Sequence, residues 1–179
     1  MAQPTPKHIT LRQEIPSDFQ EVYDIHAVAF GQENEAKLVD LLRASPAFVP
    51  ELSLVATVGN TLVGHILFSK IKIVDAEQNE WESLALAPVA VHPEYQKQGI
   101  GGKLILAGLD KAKALNFKSV IVLGHAQYYP KFGFVPANMW NIKAPFDVPA
   151  EVFMGLELVP DGLKNVQGTV VYPKAFEAV

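Results

Sequence analysis

Apolar and polar positions divide the chain into strand-like and helix-like stretches. Residues Ile9 to Ile15 read as a first strand. Ser17 with Gln20 three places on is a capping-box signal, after which Val22, Ile25 and Ala29 recur at helical spacing. Asn34 is placed to cap a second helix with Leu38, Leu41 and Leu42 on one side. "ELSLVATVGNTLVGHILFSKIKIV" holds two β-rich runs around Gly59-Asn60, both residue types that tolerate the positive φ of a tight turn, and predicts a hairpin. The polar stretch "DAEQNEWES" reads as a loop leading into a strand from Leu84 to Val91.

Pro88 lies inside that strand and has no N–H for a ladder, so a bulge or locally unpaired edge is expected there. From Gly99 the period turns helical, with Ile100, Leu104, Gly108, Ala112 and Leu115 in one stripe beside Ile105. Asn116 is positioned to end that helix in a left-handed conformation. "SVIVLG" predicts a short buried strand, "HAQYYPKFGF" a short helix and turn, and "EVFMGLELVP" with "VQGTVVYP" a closing strand pair. The pattern is that of a mixed α/β domain: an antiparallel start, one βαβ crossover, and the strand pair at the end.

Composition narrows the class. A length of 179 residues suits one domain, 1–179, and 49% hydrophobic residues suit a sizeable core. The formal charge of -4 argues against a nucleic-acid binder, whose affinity would rest on clustered cations. Met1 to Thr10 show no apolar leader core, and the uncharged apolar run Leu84 to Val91 is too short to cross a bilayer, so no membrane association is expected. Cysteine is absent, which removes thiolate chemistry and suits a reducing cytoplasm. The five histidines, His8, His26, His65, His92 and His125, lack the paired spacing of a metal site; His26 and His65 read as packing or edge residues.

The candidate chemistry lies at the joint "YQKQGIGGKL". A Walker A loop fails here, because Lys97 stands at the first glycine position and Leu104 replaces the hydroxyl residue. A dinucleotide fingerprint fails too, because its third glycine falls at Leu104. What remains is Gln96-x-x-Gly99-x-Gly101, with Gly102 alongside, at a strand-to-helix junction. Free helical N–H groups and the helix dipole make such a corner attractive to anions, and glycines let a phosphate approach. From His92 to Lys118 the chain carries Lys97, Lys103, Lys111, Lys113 and Lys118 against Glu94 and Asp110, in a protein whose 19 acidic residues exceed its 15 Lys and Arg. The plain alternative is a tight connection followed by a solvated helix face.

Gln96-x-x-Gly-x-Gly followed about thirty residues later by Tyr129-x-x-Phe132-Gly133-Phe134 resembles the GNAT superfamily of N-acetyltransferases. "PVAVHPEYQKQGIGGKLI" and "VIVLGHAQYYPKFGFVPA" look like its branch of small single-domain enzymes. The likeness implies the GNAT fold, a mixed sheet with a β-α-β core and flanking helices, with acetyl-CoA as acyl donor and no metal. It implies cofactor binding by Val89, Ala90 and Val91, hydrogen-bonding the pantetheine amides, and by Gln96, Lys97, Gln98, Gly99, Ile100, Gly101, Gly102, Lys103, Tyr129 and Phe132. The N–H groups from Gln98 to Lys103 would hold the diphosphate. The reaction would be direct attack of a primary amine on the thioester.

Tyr129 occupies the family's general-acid position, with Tyr128 beside it as the packed member. Pro130 directly after it biases the Tyr129 backbone away from αR geometry. Glu82 is the first choice of general base, ahead of Glu80 and His92, while His125 is placed to touch the acceptor or cap the short helix. The acceptor is expected between Phe30 to Leu42 and Asn138 to Phe153. Trp81, Trp140 and Phe146 would line the cleft, with Glu33, Glu35 and Asp147 favouring a cationic amine. A homodimer is compatible with this size and family, and a non-catalytic acyl-CoA sensor is the rival function.

Overall fold

A computed structural model of the chain describes residues 8–179. Strand β1 (Ile9–Gln13) is followed by a 3-10 turn, Pro16–Asp18, and then by helices α1 (Phe19–Phe30) and α2 (Asn34–Arg43). The Ser17/Gln20 capping box does not form. Pro16 opens the 3-10 turn, and Asp18 takes the capping work by accepting the Ile15 N–H at 2.8 Å while Arg12 holds it at 2.7 Å. The Gln20 amide donates to Asp24 instead. On α2, Leu38 and Leu42 are buried with Ala36 and Val39, whereas Leu41 faces outward.

The predicted hairpin is β2 (Phe48–Val58) with β3 (Thr61–Val74), joined through Gly59 at φ 60. Strand β4 (Glu80–Val91) begins four residues before the sequence suggested, because 80–83 pair with 71–74 of β3 and extend the ladder into the supposed loop. Ala87 and Pro88 together oppose Leu67, which is the bulge that proline demands. Helix α3 (Ile100–Ala114) ends as expected, with Asn116 at φ 70. Strand β5 (Ser119–Leu123), the 3-10 turn Tyr129–Phe132, and β6 (Val135–Pro136), β7 (Ile142–Lys143), β8 (Phe153–Glu157) and β9 (Gly168–Val171) complete the chain.

The sheet order is β1-β2-β3-β4-β5-β8-β6. All neighbours along it are antiparallel except β4 and β5, the crossover pair joined through α3. The closing strands do not pair with each other: β8 lies on β5, while β9 travels back to β3 at 72–74 and takes β7 beside it. That placement is possible because β2 leaves β3 at Ser69, which frees the outer edge of β3 below it.

Apolar side chains fill both faces. Ile66, Phe68, Leu84 and Leu86 meet Ile100, Leu104 and Ile105 of α3. On the other face Val55, Leu67 and Ala90 meet Val22 and Ile25 of α1 and Leu38 and Leu42 of α2. The α3 contact is close: a Cβ on Gly108 would land on the Phe68 ring.

Candidate active site

Strands β4 and β5 pair at two positions only, Leu84 with Val120 and Ala85 with Ile121. There they are tied further by a buried Ser83–Ser119 hydroxyl bond of 2.7 Å. Beyond Ala85 they part. Among the described residues no strand takes the β5-facing edge of β4 from Leu86 to Val91. The bulge at Pro88 sits in this open stretch, where a proline has no N–H to leave unsatisfied.

Strand alternation fixes which groups the open edge presents. The His92 N–H donates to the Val63 carbonyl at 2.8 Å, so Ala90, two residues back, also turns its polar backbone to β3 and pairs with His65. Val89 and Val91 face the gap. Ala90, read from sequence as one of three backbone contacts, is therefore spent on the ladder, and its methyl packs toward α1.

The loop that follows points its amides at the mouth of this gap. Lys97 at φ 63 and Gly99 at φ 80 turn the chain into α3. The first helical bond runs from the Lys103 N–H to the Gly99 carbonyl, 3.1 Å. The N–H groups of Ile100, Gly101 and Gly102 precede it and have no acceptor among the described residues. Lys103, included in the expected cradle, has its N–H consumed by the helix. A Cβ on Gly99 would meet nothing within 4 Å, so the space above the loop is open. Gln96 plays a holding part: its amide donates to the Val91 carbonyl at 3.0 Å, fastening the loop to the end of β4.

Across the gap, the turn after β5 brings in the aromatic residues. Tyr129 is the buried one of the tyrosine pair, 7% exposed, and Tyr128 is half-buried, the reverse of the assignment from sequence. The Tyr129 ring packs on Phe134, with centroids 5.7 Å apart, and against Gly124, where any side chain would strike it. Its hydroxyl makes no hydrogen bond among the described residues, yet it is not among the sealed polar atoms without a partner, which are His26 Nδ1 and Ser69 Oγ. It therefore keeps some access to solvent. Burial, with Tyr128 adding to it, pushes its pKa up to about 12, so the phenol stays protonated at neutral pH. Phe132 lies beside Gly102, 3.6 Å from where a Cβ there would stand.

The proposed bases separate into two groups. β4 and β5 run parallel, so Tyr129, His92 and His125 all follow the open ends of the strands. Glu82 precedes the Ser83–Ser119 tie at the closed end, and Glu80 beside it is paired with Lys72 at 3.0 Å. The structure does not bring Glu82 to Tyr129. Glu82 instead borders a cavity of about 690 Å³ between the end of α2, Lys70 to Lys72 of β3, and 171–178. None of 96–103 lines that cavity.

The expected acceptor aromatics are also dispersed. Trp81 and Trp140 border different hollows, and Phe146 stacks on Tyr172 at 6.2 Å. Glu33 is paired with Lys37 and Glu35 accepts from Gln32, while Asp147 is exposed. Among the described residues no cluster of His, Asp and Glu is arranged to hold a metal ion, and no helix is long and apolar enough to cross a membrane.

The chain is similar to known proteins in sequence and in fold. A family model described as Acetyltransferase (GNAT) family matches residues 19–134. The chain is 38% identical over 148 residues to the uncharacterized N-acetyltransferase YjhQ of Escherichia coli (strain K12), spanning 82% of this chain and 81% of that one. The crystal structure of the GNAT family N-acetyltransferase YhbS from Escherichia coli in complex with CoA superposes with a TM-score of 0.88 at 28% identity, covering 99% of this chain and 96% of that one. A GNAT family acetyltransferase from Brucella melitensis, solved in complex with acetyl-CoA, gives a TM-score of 0.75 at 32% identity over 95% and 99% of the two chains.

Proposed function

The chain belongs to the GNAT acetyltransferase family, and from that premise we propose that it moves an acetyl group from acetyl-CoA to a primary amine within one catalytic domain. The observation that carries this reading is the parting of β4 from β5 next to three unengaged N–H groups. An extended chain of amides ending in a diphosphate fits both halves of that site. Val89 and Val91 would take the pantetheine amides as a neighbouring strand does, and Ile100, Gly101 and Gly102 would take the diphosphate. Acetyl-CoA supplies an acyl group activated as a thioester.

The protein supplies position and a proton. Tyr129, its ring held by Gly124 and Phe134 and its hydroxyl without a partner among the described residues, donates to the departing thiolate sulfur. Attack is direct, with which the absence of a cysteine nucleophile is consistent. The ammonium proton of the amine leaves to water or to His125, exposed at the end of β5. Glu82 at the closed end takes no part.

A thermal-shift comparison of acetyl-CoA, CoA, ATP and NAD tests the donor. Stabilisation of about 2.7 kcal/mol is expected from the CoA compounds at a hundred times their dissociation constant. A shift with ATP or NAD alone overturns the reading. Thiol release from acetyl-CoA across a library of small amines and peptides then identifies the acceptor. Its complete absence would leave an acyl-CoA sensor.

A further inference from the structure

We propose that Tyr128 and Lys131 form the second wall of the diphosphate site, the Tyr128 hydroxyl donating to the phosphate oxygens and the Lys131 ammonium facing them. This rests on acetyl-CoA being the donor. It adds two residues from the far side of the gap to a cradle otherwise built from the α3 corner alone.

The geometry is convergent. The Tyr128 hydroxyl stands 3.5 Å from where a Cβ on Gly101 would lie, and Val91 Cγ2 is 3.8 Å from the same point. A side chain from the turn after β5 thus reaches over the helix corner to the end of β4. The three unengaged amides of Ile100, Gly101 and Gly102 are in that corner. The Tyr128 hydroxyl has no hydrogen-bond partner among the described residues, although its ring is fixed by three contacts. Those are Phe132 at 5.3 Å, Tyr129 at 5.2 Å and the Lys131 ammonium 5.1 Å above the ring centre. An aromatic ring so tightly placed, with an unused donor at its tip, is organised for a partner outside the protein.

The charges agree. Burial raises the Tyr128 pKa above the ordinary phenol value, so the group donates and does not compete as an anion. Lys131 makes no ion pair among the described residues, and its position over Tyr128 keeps its charge on this side of the gap. Phe132 stands 3.6 Å from where a Cβ on Gly102 would lie, so the turn also faces the helix corner there. Tyr129 and Tyr128, with ring centres 5.2 Å apart, then have separate duties along one ligand: one toward the sulfur, the other toward the phosphates.

Pantetheine separates these duties, because it carries the amides and the thiol but no diphosphate. Calorimetric titration of the full chain, as wild type, Tyr128→Phe and Lys131→Gln, with CoA and with pantetheine tests the assignment. Each substitution is expected to weaken CoA binding about tenfold or more, the worth of one hydrogen bond to a charged group, and to leave pantetheine binding unchanged. Tyr128→Phe keeps the ring and its packing, so a folded protein is expected. Equal CoA affinity in all three proteins overturns the proposal, and so does an equal loss for CoA and pantetheine, which would mark a packing role. Failure of the wild type to bind CoA would overturn the donor reading itself.

Discussion

His26 Nε2 and His65 Nδ1 lie 2.8 Å apart, two wholly buried imidazoles that join α1 to β3. The chain continues from His65 Nε2 to Ser53 Oγ at 2.8 Å, with Glu14 at 3.5 Å and Arg43 beyond it. Desolvation by burial is the first cause of depressed pKa values in both, about 2 for His26 and about 3 for His65. The unfolded chain therefore takes up protons below the ordinary imidazole value of about 6.5 that the folded chain refuses. Stability is full above that value and falls as pH drops from it toward 3. At pH 5.5 the loss is about 1.4 kcal/mol for each imidazole. Urea midpoints at pH 7.5 and 5.5 are expected to differ accordingly, and His65→Gln to reduce the difference. Equal midpoints in the wild type would contradict the neutral pair.

Arg43 grips both carboxylate oxygens of Glu14 at 2.9 Å, with side chains only 9% and 3% exposed. Arg43→Ala strands a buried carboxylate and is expected to cost about 3–5 kcal/mol, more than a surface pair would. Adding Glu14→Gln to that variant is expected to restore much of the loss. Denaturation of the single and double variants provides the check, and a double variant no more stable than Arg43→Ala would argue against a stranded charge.

Gly108→Ala sets two effects against each other. Alanine is the better helix former by about 1 kcal/mol, but its methyl would land on the Phe68 ring, and overpacking of a filled core costs about 1–3 kcal/mol. Packing should win. A lowered melting temperature is expected, and a raised one would show that Phe68 has room to turn.

Tyr129→Phe is expected to lower turnover about a hundredfold with acetyl-CoA affinity unchanged, since only the donated proton is removed. Gly124→Ala should reach a similar turnover by a different route, pushing the Tyr129 ring aside, and should lose stability as well. Turnover by Tyr129→Phe equal to the wild type would remove the phenol from the reaction.

What the sequence disclosed followed from local chemistry. Gly59, Pro88, Gly99 and Asn116 each restrict or permit one backbone conformation, and the turn, bulge, helix start and helix end appear where those residues demand them. The glycine corner was legible for the same reason, whereas Tyr129 was reached through the family resemblance and the buried member of the tyrosine pair was read the wrong way round. Relations between distant segments were not. Nothing in "GTVV" says that it will lie on Lys72 to Val74, because that depends on where β2 departs from β3. Glu82 looked close to the reacting centre along the chain, but the direction of the gap follows from β5 pairing only near Leu84. Where Tyr128 and Tyr129 lie likewise depended on Gly101 and Gly124, residues whose importance is the room they leave.

The interruption between β4 and β5 also protects the protein from itself. A bare strand border ordinarily invites a neighbouring polypeptide to add on, with fibre growth as the hazard. Here the border is interior: β5 is already committed to β8 along its whole length, and proline kinks the exposed run. The Ser83–Ser119 tie and the Leu84 and Ala85 pairing close one end of this run, so whatever pairs with Val89 and Val91 has to come in from the α3 end. Direction of approach, set by the backbone before any side chain is consulted, is thus the first restriction this fold puts on a guest at Val89 and Val91.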